Sequence, residues 1–304
     1  MTLQSIVVPL DGSPFGEFAL PYALSLARRA GAKIEMIHVY QLPETTERSL
    51  VTALRDDHQA AEQARHYLTE VAQRLRAAAP GLDITATLVQ GRISEAICDH
   101  LTTTSPSLAV LTTHGRGPLS RFWLGSVATD LMQRSPVPLL LVRPSDHPPD
   151  WTADVAPQRI LLPLDGSPFS EQILPLAIAI GTLTHATYRL LEVVPPAVPV
   201  GGDGLTLYSP PSPAVVQEWA CEAQTYLHSV RSRYPALHGA ETYVAAGWPT
   251  ATTILTDAAD HRIDLIALAT HGRSGIVKFL LGSVADKVVR GAGVPVLLSR
   301  PTAS

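Results

Sequence analysis

Thr-His-Gly-Arg stands at residues 113–116 and again at 270–273. Nine residues after Gly115 come Gly125-Ser126, and nine after Gly272 come Gly282-Ser283, each inside a repeated Leu-Gly-Ser-Val-Ala block. Residues of these types at this spacing suit an anion. Glycine lets backbone N–H groups approach a ligand with no side chain in the way. A Gly-Ser step that opens a helix offers free N–H groups at the positive end of the helix dipole. Ser126 and Ser283 can act there as cap or as phosphate donor. The plainer alternative is a turn glycine followed by a helix N-cap. A second block, Pro-Leu-Asp-Gly-Ser-Pro-Phe, recurs unchanged at 9–15 and 163–169. Asp11 and Asp165 can accept from a ribose hydroxyl or hold a hydrated Mg²⁺. They can equally cap a turn into a helix whose first turn holds Pro14 or Pro168. Arg116 and Arg273 either meet phosphate or lie in solvent. His114 and His271 have no Cys or second His at ligand spacing, so they read as structural residues and no metal site is expected. No phosphate loop of the G-x-x-x-x-G-K-[ST] type occurs, and no G-x-G-x-x-G follows the first strand. No G-x-S-x-G elbow and no assembly of nucleophile, base and oxyanion donors is visible. The chemistry is that of holding a nucleotide rather than turning one over.

The elements that must position these loops come as two copies of one unit, expected over 1–144 and 158–304. Residues 145–157, rich in proline and charge, read as a linker. In the first copy, strands are predicted at Ser5–Pro9, Ile34–Val39, Ile84–Val89, Leu108–Thr112 and Val137–Val142. Helices are predicted at Phe15–Ala30, His58–Ala79, Ile93–Leu101 and Gly125–Arg134, the first stopped by Gly31. The second copy repeats this, with strands near Arg159–Pro163, Tyr188–Val193, Glu241–Ala245, Leu265–Leu268 and Val294–Leu298. Strands alternating with helices give an α/β fold of two doubly wound domains, each a five-stranded parallel sheet with helices on both faces. In the order 3-2-1-4-5, strands one and four are neighbours where the winding reverses. Both repeated loops then line the crevice at the strands' carboxyl ends, where such sheets bind ligands. Val39 and Val193, ending the second strands, could flank an adenine ring or belong to the core. The proline-rich stretch 195–213 reads as a surface loop, either decorative or disordered, or else a functional lid.

Composition narrows the function classes. Hydrophobic residues make up 46% of the 304 and charged residues 16%, which fits two globular cores. A net charge of −4 leaves no broad basic footprint for nucleic acid or an anionic membrane. Cys98 and Cys221 cannot build a disulfide framework, and a reducing cytoplasm fits them. Neither a signal peptide nor a transmembrane run is expected.

On these residues the chain resembles the universal stress protein family, in its tandem two-domain form, over almost its whole length. The family's nucleotide motif is G-x-x-G, nine residues, then G-S or G-T. It is met at Gly115 with Gly125-Ser126 and at Gly272 with Gly282-Ser283. The VPLDGSP opening, the THGR block and the endings at Ser135–Val142 and Gly293–Arg300 are similar to the family's as well. The resemblance implies the 3-2-1-4-5 sheet, packing of the two halves against each other through their last strands, and a homodimer as a further assembly. It implies an ATP-binding stress-signalling protein with weak or no hydrolysis, the ligand being ATP, ADP or AMP with Mg²⁺ as companion. An unidentified protein partner belongs to the same picture. The implied contact set is Pro9, Asp11, Gly12, Val39, Thr112, Thr113, Gly115, Arg116, Gly125, Ser126 and Val127 in the first half. In the second it is Pro163, Asp165, Gly166, Val193, Ala269, Thr270, Gly272, Arg273, Gly282, Ser283 and Val284. The departures are Thr112 and Ala269 where the motif has its first glycine, and Pro118 where the second half has Gly275. Thr112 is bulkier, so the first site is expected to be the weaker. The alternative function is an interaction module of the same fold that binds no nucleotide.

Overall fold

The computed structural model describes residues 2–41, 50–113, 124–145, 147–194, 198–200, 207–209, 212–270 and 282–300. The chain divides into two compact units, Met1–Ala156 and Pro157–Ser304.

The first unit runs β1 (Ser5–Leu10), α1 (Leu20–Ala30), β2 (Lys33–Tyr40), α2 (Leu50–Ala78), β3 (Ile84–Gln90), α3 (Ile93–Thr104), β4 (Leu108–Thr112), α4 (Ser126–Arg134) and β5 (Leu139–Val142). Its strands pair in parallel in the order β3-β2-β1-β4-β5. The central strands are buried on both faces: Ile6, Val8, Leu108, Ala109 and Val110 have no exposed surface. That is why they read as unbroken apolar runs rather than as alternating patterns. Helix α1 ends on Gly31 at φ 64°, the left-handed cap glycine tolerates best. The helical pattern at Phe15–Ala30 splits into a short 3-10 turn, Gly16–Ala19, followed by α1. Helix α2 starts at Leu50 rather than His58. Strand β5 starts after Pro138, which has no N–H to donate to a ladder, although its carbonyl still accepts from Ala109.

The second unit runs β6 (Arg159–Leu164), α5 (Pro168–Glu171), α6 (Leu174–Thr184), β7 (Thr187–Val194), β8 (Val198–Val200), β9 (Leu207–Ser209), α7 (Pro213–Arg233), β10 (Glu241–Ala246), α8 (Thr250–Asp260), β11 (Leu265–Ala269), α9 (Ser283–Gly291) and β12 (Val296–Ser299). Its main strands keep the same parallel order, β10-β7-β6-β11-β12. His185, at φ 56°, caps α6 where the first unit uses Gly31. Within the proline-rich stretch, β8 and β9 form an antiparallel pair. No helix among the described residues is long and apolar enough to cross a membrane.

Residues 147–156 are counted within the first unit. Trp151 is buried beneath the Arg74 guanidinium, whose carbon lies 4.1 Å from the ring centre. Asp154 pairs with Arg29 and accepts from the Ser25 hydroxyl at 2.7 Å. The segment read as linker is thus fastened to α1 and α2.

Candidate functional site

Register brings the expected site residues level. Leu10 lies opposite His38 on β2, and Val7 lies opposite Ala109 on β4. Carried one step past β1, the same register sets Asp11 level with Val39 and Thr113. In the second unit Leu164 lies opposite Glu192 and Leu161 opposite Ile266. Asp165 is therefore level with Val193 and Thr270. A row of Asp, Val and Thr thus closes the carboxyl ends of the three central strands twice over. Thr113 and Thr270 are buried, as are Val39 and Ala269, while Asp11, Asp165, Thr112 and Val193 are partly open.

Each Asp organises its own loop. Asp11 Oδ1 accepts from the Ser13 amide at 3.0 Å and the Ser13 hydroxyl at 2.6 Å. Asp165 Oδ1 accepts from Ser167 at the same two distances. Gly12 at φ 78° and Gly166 at φ 80° take the left-handed turn between them. The helix cap is not the Asp: Ser167 caps α5 by accepting from the Ser170 amide at 3.2 Å. Pro9 and Pro163 sit in the strands just before the turns.

The second half of each site is a helix start. The Gly125 amide donates to the Thr113 carbonyl, and the Gly282 amide to the Thr270 carbonyl, each at 2.8 Å. These bonds tether both helices to the Asp–Val–Thr row. Gly125 and Gly282 are themselves the N-cap residues, in extended conformation, with no side-chain capping bond. The first intrahelical bonds reach back from Thr129 to Gly125 and from Asp286 to Gly282. The amides of Ser126, Val127 and Ala128, and of Ser283, Val284 and Ala285, therefore form the open first turn. Ser126 and Ser283 are the first helical residues, exposed, and not the caps. The capping role is thereby excluded for these two hydroxyls. Gly115, Arg116, Gly272 and Arg273 lie outside the described residues, as do His114, His271, Pro118 and Gly275.

Sequence reasoning missed a charged layer behind each loop. Glu17 is buried and accepts from Arg74 Nη2 at 3.2 Å; Glu171 accepts from Arg233 Nη2 at 2.8 Å. Burial pushes the Glu17 carboxyl up, Arg74 pulls it back, and the charge on Asp11 adds to the rise. Burial, with Glu171 beside it, pushes the Tyr226 phenol well above its usual range. The signal was present as Tyr-Leu-x-x-Val-x-x-Arg, residues 67–74 and 226–233. Beside the loop, His38 Nδ1 lies 2.8 Å from the Leu10 carbonyl. A carbonyl only accepts, so that nitrogen carries a proton. Glu192 occupies the matching rung of the second unit, so the two units carry different groups at this position.

Comparison with known proteins agrees with this duplication. The model of the Universal stress protein family matches residues 2–143 and 157–300. A universal stress protein of Mycobacterium tuberculosis is 32% identical over 195 residues, covering 64% of this chain and 61% of that relative. The chain thus spans about six tenths of that relative's length. One from Mycolicibacterium smegmatis is 25% identical over 313 residues, covering 99% of this chain and 98% of its own. Among solved structures, a universal stress protein from Archaeoglobus fulgidus superposes with a TM-score of 0.70 at 19% identity, covering 99% of both chains. A Pseudomonas aeruginosa counterpart gives 0.66 at 16% identity, over 98% of this chain and 94% of its own. At such identities these two show the fold alone.

Proposed function

The chain belongs to the universal stress protein family, with one copy of the family's unit in each half, and from that premise we propose that it is a stress-signalling protein that binds ATP, with Mg²⁺, in both units without an efficient hydrolytic apparatus. The observation that carries this is the duplicated tether: in both units a helix with a glycine N-cap and no side-chain capping bond is tied to the row that holds the Asp loop. Phosphates fit the open first turns at Ser126–Ala128 and Ser283–Ala285, where free amides and the helix dipole favour negative charge. Asp11 and Asp165 lie one strand away, placed for a ribose hydroxyl or a hydrated cation. Bound Mg²⁺ would neutralise phosphate charge next to these carboxylates. ADP and AMP would use the same row with fewer phosphates.

Titration of purified protein with ATP-Mg by calorimetry tests this directly, with acid extraction and mass spectrometry to identify any carried ligand. Gly282→Val is the sharper probe. Its φ of −59° and ψ of 139° suit valine, so the backbone tolerates the change. The added side chain crowds the anion instead. Loss of one class of site from a folded protein is expected, whereas unchanged binding places the site elsewhere. The partly open, β-branched Thr112 favours a second reading for the first unit, an interaction module with an idle site; absence of heat at millimolar ATP in a Gly282→Val protein selects it.

A further inference from the structure

We propose that Arg74 is a positioning residue for the Asp11 loop and that the strap 150–156 holds it there through Trp151, so that the first site is tuned by the segment leading to the second unit. The contacts form an unbroken series. The Gly16 amide donates to the Ser13 carbonyl at 3.1 Å, and Ser13 is the residue that holds Asp11. A Cβ on Gly16 would stand 2.6 Å from Asp11 Oδ1, so the carboxylate rests against this backbone. Glu17, the next residue, has a side chain only 10% exposed, and its Oε2 is held by Arg74. The Arg74 guanidinium carbon in turn lies 4.1 Å from the ring centre of Trp151, which is 7% exposed. The far end of the strap is fixed by Asp154 to Arg29 and Ser25 on α1, the helix that follows the Glu17 turn.

A guanidinium held between a carboxylate and an indole face has two partners to satisfy and a planar shape suited to both. Removing the indole frees Arg74 to leave Glu17, and Glu17 is joined through Gly16 to the backbone that supports Asp11. Among the described residues, the second unit keeps the pair without a counterpart of Trp151. Glu171 and Arg233 occupy the matching places, and the ring near Arg233 is that of Tyr234, its own neighbour, at 6.0 Å. The repeated ion pair is thus shared by the two units, and among the described residues Trp151 stands only in the first.

The experiment uses the full chain and two readouts. The binding arm rests on the nucleotide site proposed above; the amide resonances of the ligand-free protein do not. Trp151→Ala should shift the resonances of Gly12, Ser13 and Gly16 and leave those of Gly166 and Ser167 in place. In a Gly282→Val background, which silences the second site, it should weaken ATP by about fivefold or more. Trp151→Phe, which keeps an aromatic face, should restore both. Asp154→Asn, at a side chain 59% exposed, should shift the same loop in the same direction and serves if Trp151→Ala does not fold. Unmoved Gly12, Ser13 and Gly16 resonances in a strap variant that folds overturn the proposal, as does equal weakening of ATP at the second site, read in a Gly125→Val background. If the wild-type chain binds no nucleotide, the nucleotide site falls and the resonances alone decide on the strap.

Discussion

Arg189 and Glu35 hold the same place on the second strand of their units and carry opposite charges. Arg189 meets Asp257 of α8 through Nη2 at 2.8 Å and Nε at 2.9 Å, and Glu241 at 2.8 Å. Glu35 faces His100 of α3 at 3.1 Å and accepts from the Thr87 hydroxyl at 2.6 Å. Each pair joins the helix after the third strand to the sheet, with the carboxylate on the strand in the first copy and on the helix in the second. The costs of breaking the two pairs should differ. Asp257 is 5% exposed, and neutralising it leaves a buried guanidinium short of charge, worth about 3 kcal/mol or more. Glu35 is 24% exposed, and an amide in its place can still accept from Thr87, which limits the loss to about 1 kcal/mol. Urea denaturation of Asp257→Asn and Glu35→Gln should rank them in that order; equal losses would mean that burial does not control these pairs.

Among the elements, the strap shows where sequence patterns lose their force. Strands were legible because a parallel strand buried on both faces must be apolar throughout, and α1 was legible by its period and its terminal glycine. Proline and charge at 145–157 rule out a helix or a ladder, but they do not say whether an irregular segment is free or docked. Trp151 was the clue, since so large an apolar ring is seldom left in water. The strap's other anchor makes a prediction about pH. Bonds from Arg29 and Ser25 hold the Asp154 carboxyl down to about 2. Its unfolded value is about 3.9, so the anchor contributes fully above that pH and is lost as pH falls through the folded value. The side chain is mostly exposed, which limits the contribution to about 1 kcal/mol. With Trp123, Trp219 and Trp248 replaced by phenylalanine, iodide quenching of Trp151 should stay low from pH 7 to about 4 and rise below it. Quenching that rises between pH 7 and 5 would show that some other group releases the strap.

For the whole molecule, the duplication was legible because two polar blocks recur in order, and polar loops repeat only where their chemistry or their turn is needed. The Asp–Val–Thr row was legible in its members but not in its alignment, which depends on strand register. The Glu–Arg layer was hidden because its partners lie far apart in the chain, Glu17 from Arg74 and Glu171 from Arg233. Two sites built alike but not identically should bind unequally, and ligand-linked stability measures this without separating the halves. A ligand at a hundred times its dissociation constant stabilises the folded state by about 2.7 kcal/mol. Ala269 leaves more room than Thr112 at the end of the fourth strand, so the second site should fill first. At an ATP concentration that fills only the tighter site, Gly282→Val should abolish nearly all of the thermal shift and Gly125→Val little of it. At about a hundredfold more ATP, the Gly282→Val protein should regain a shift from the first site. Equal losses from the two variants at the lower concentration would mean that Thr112 does not weaken the first site.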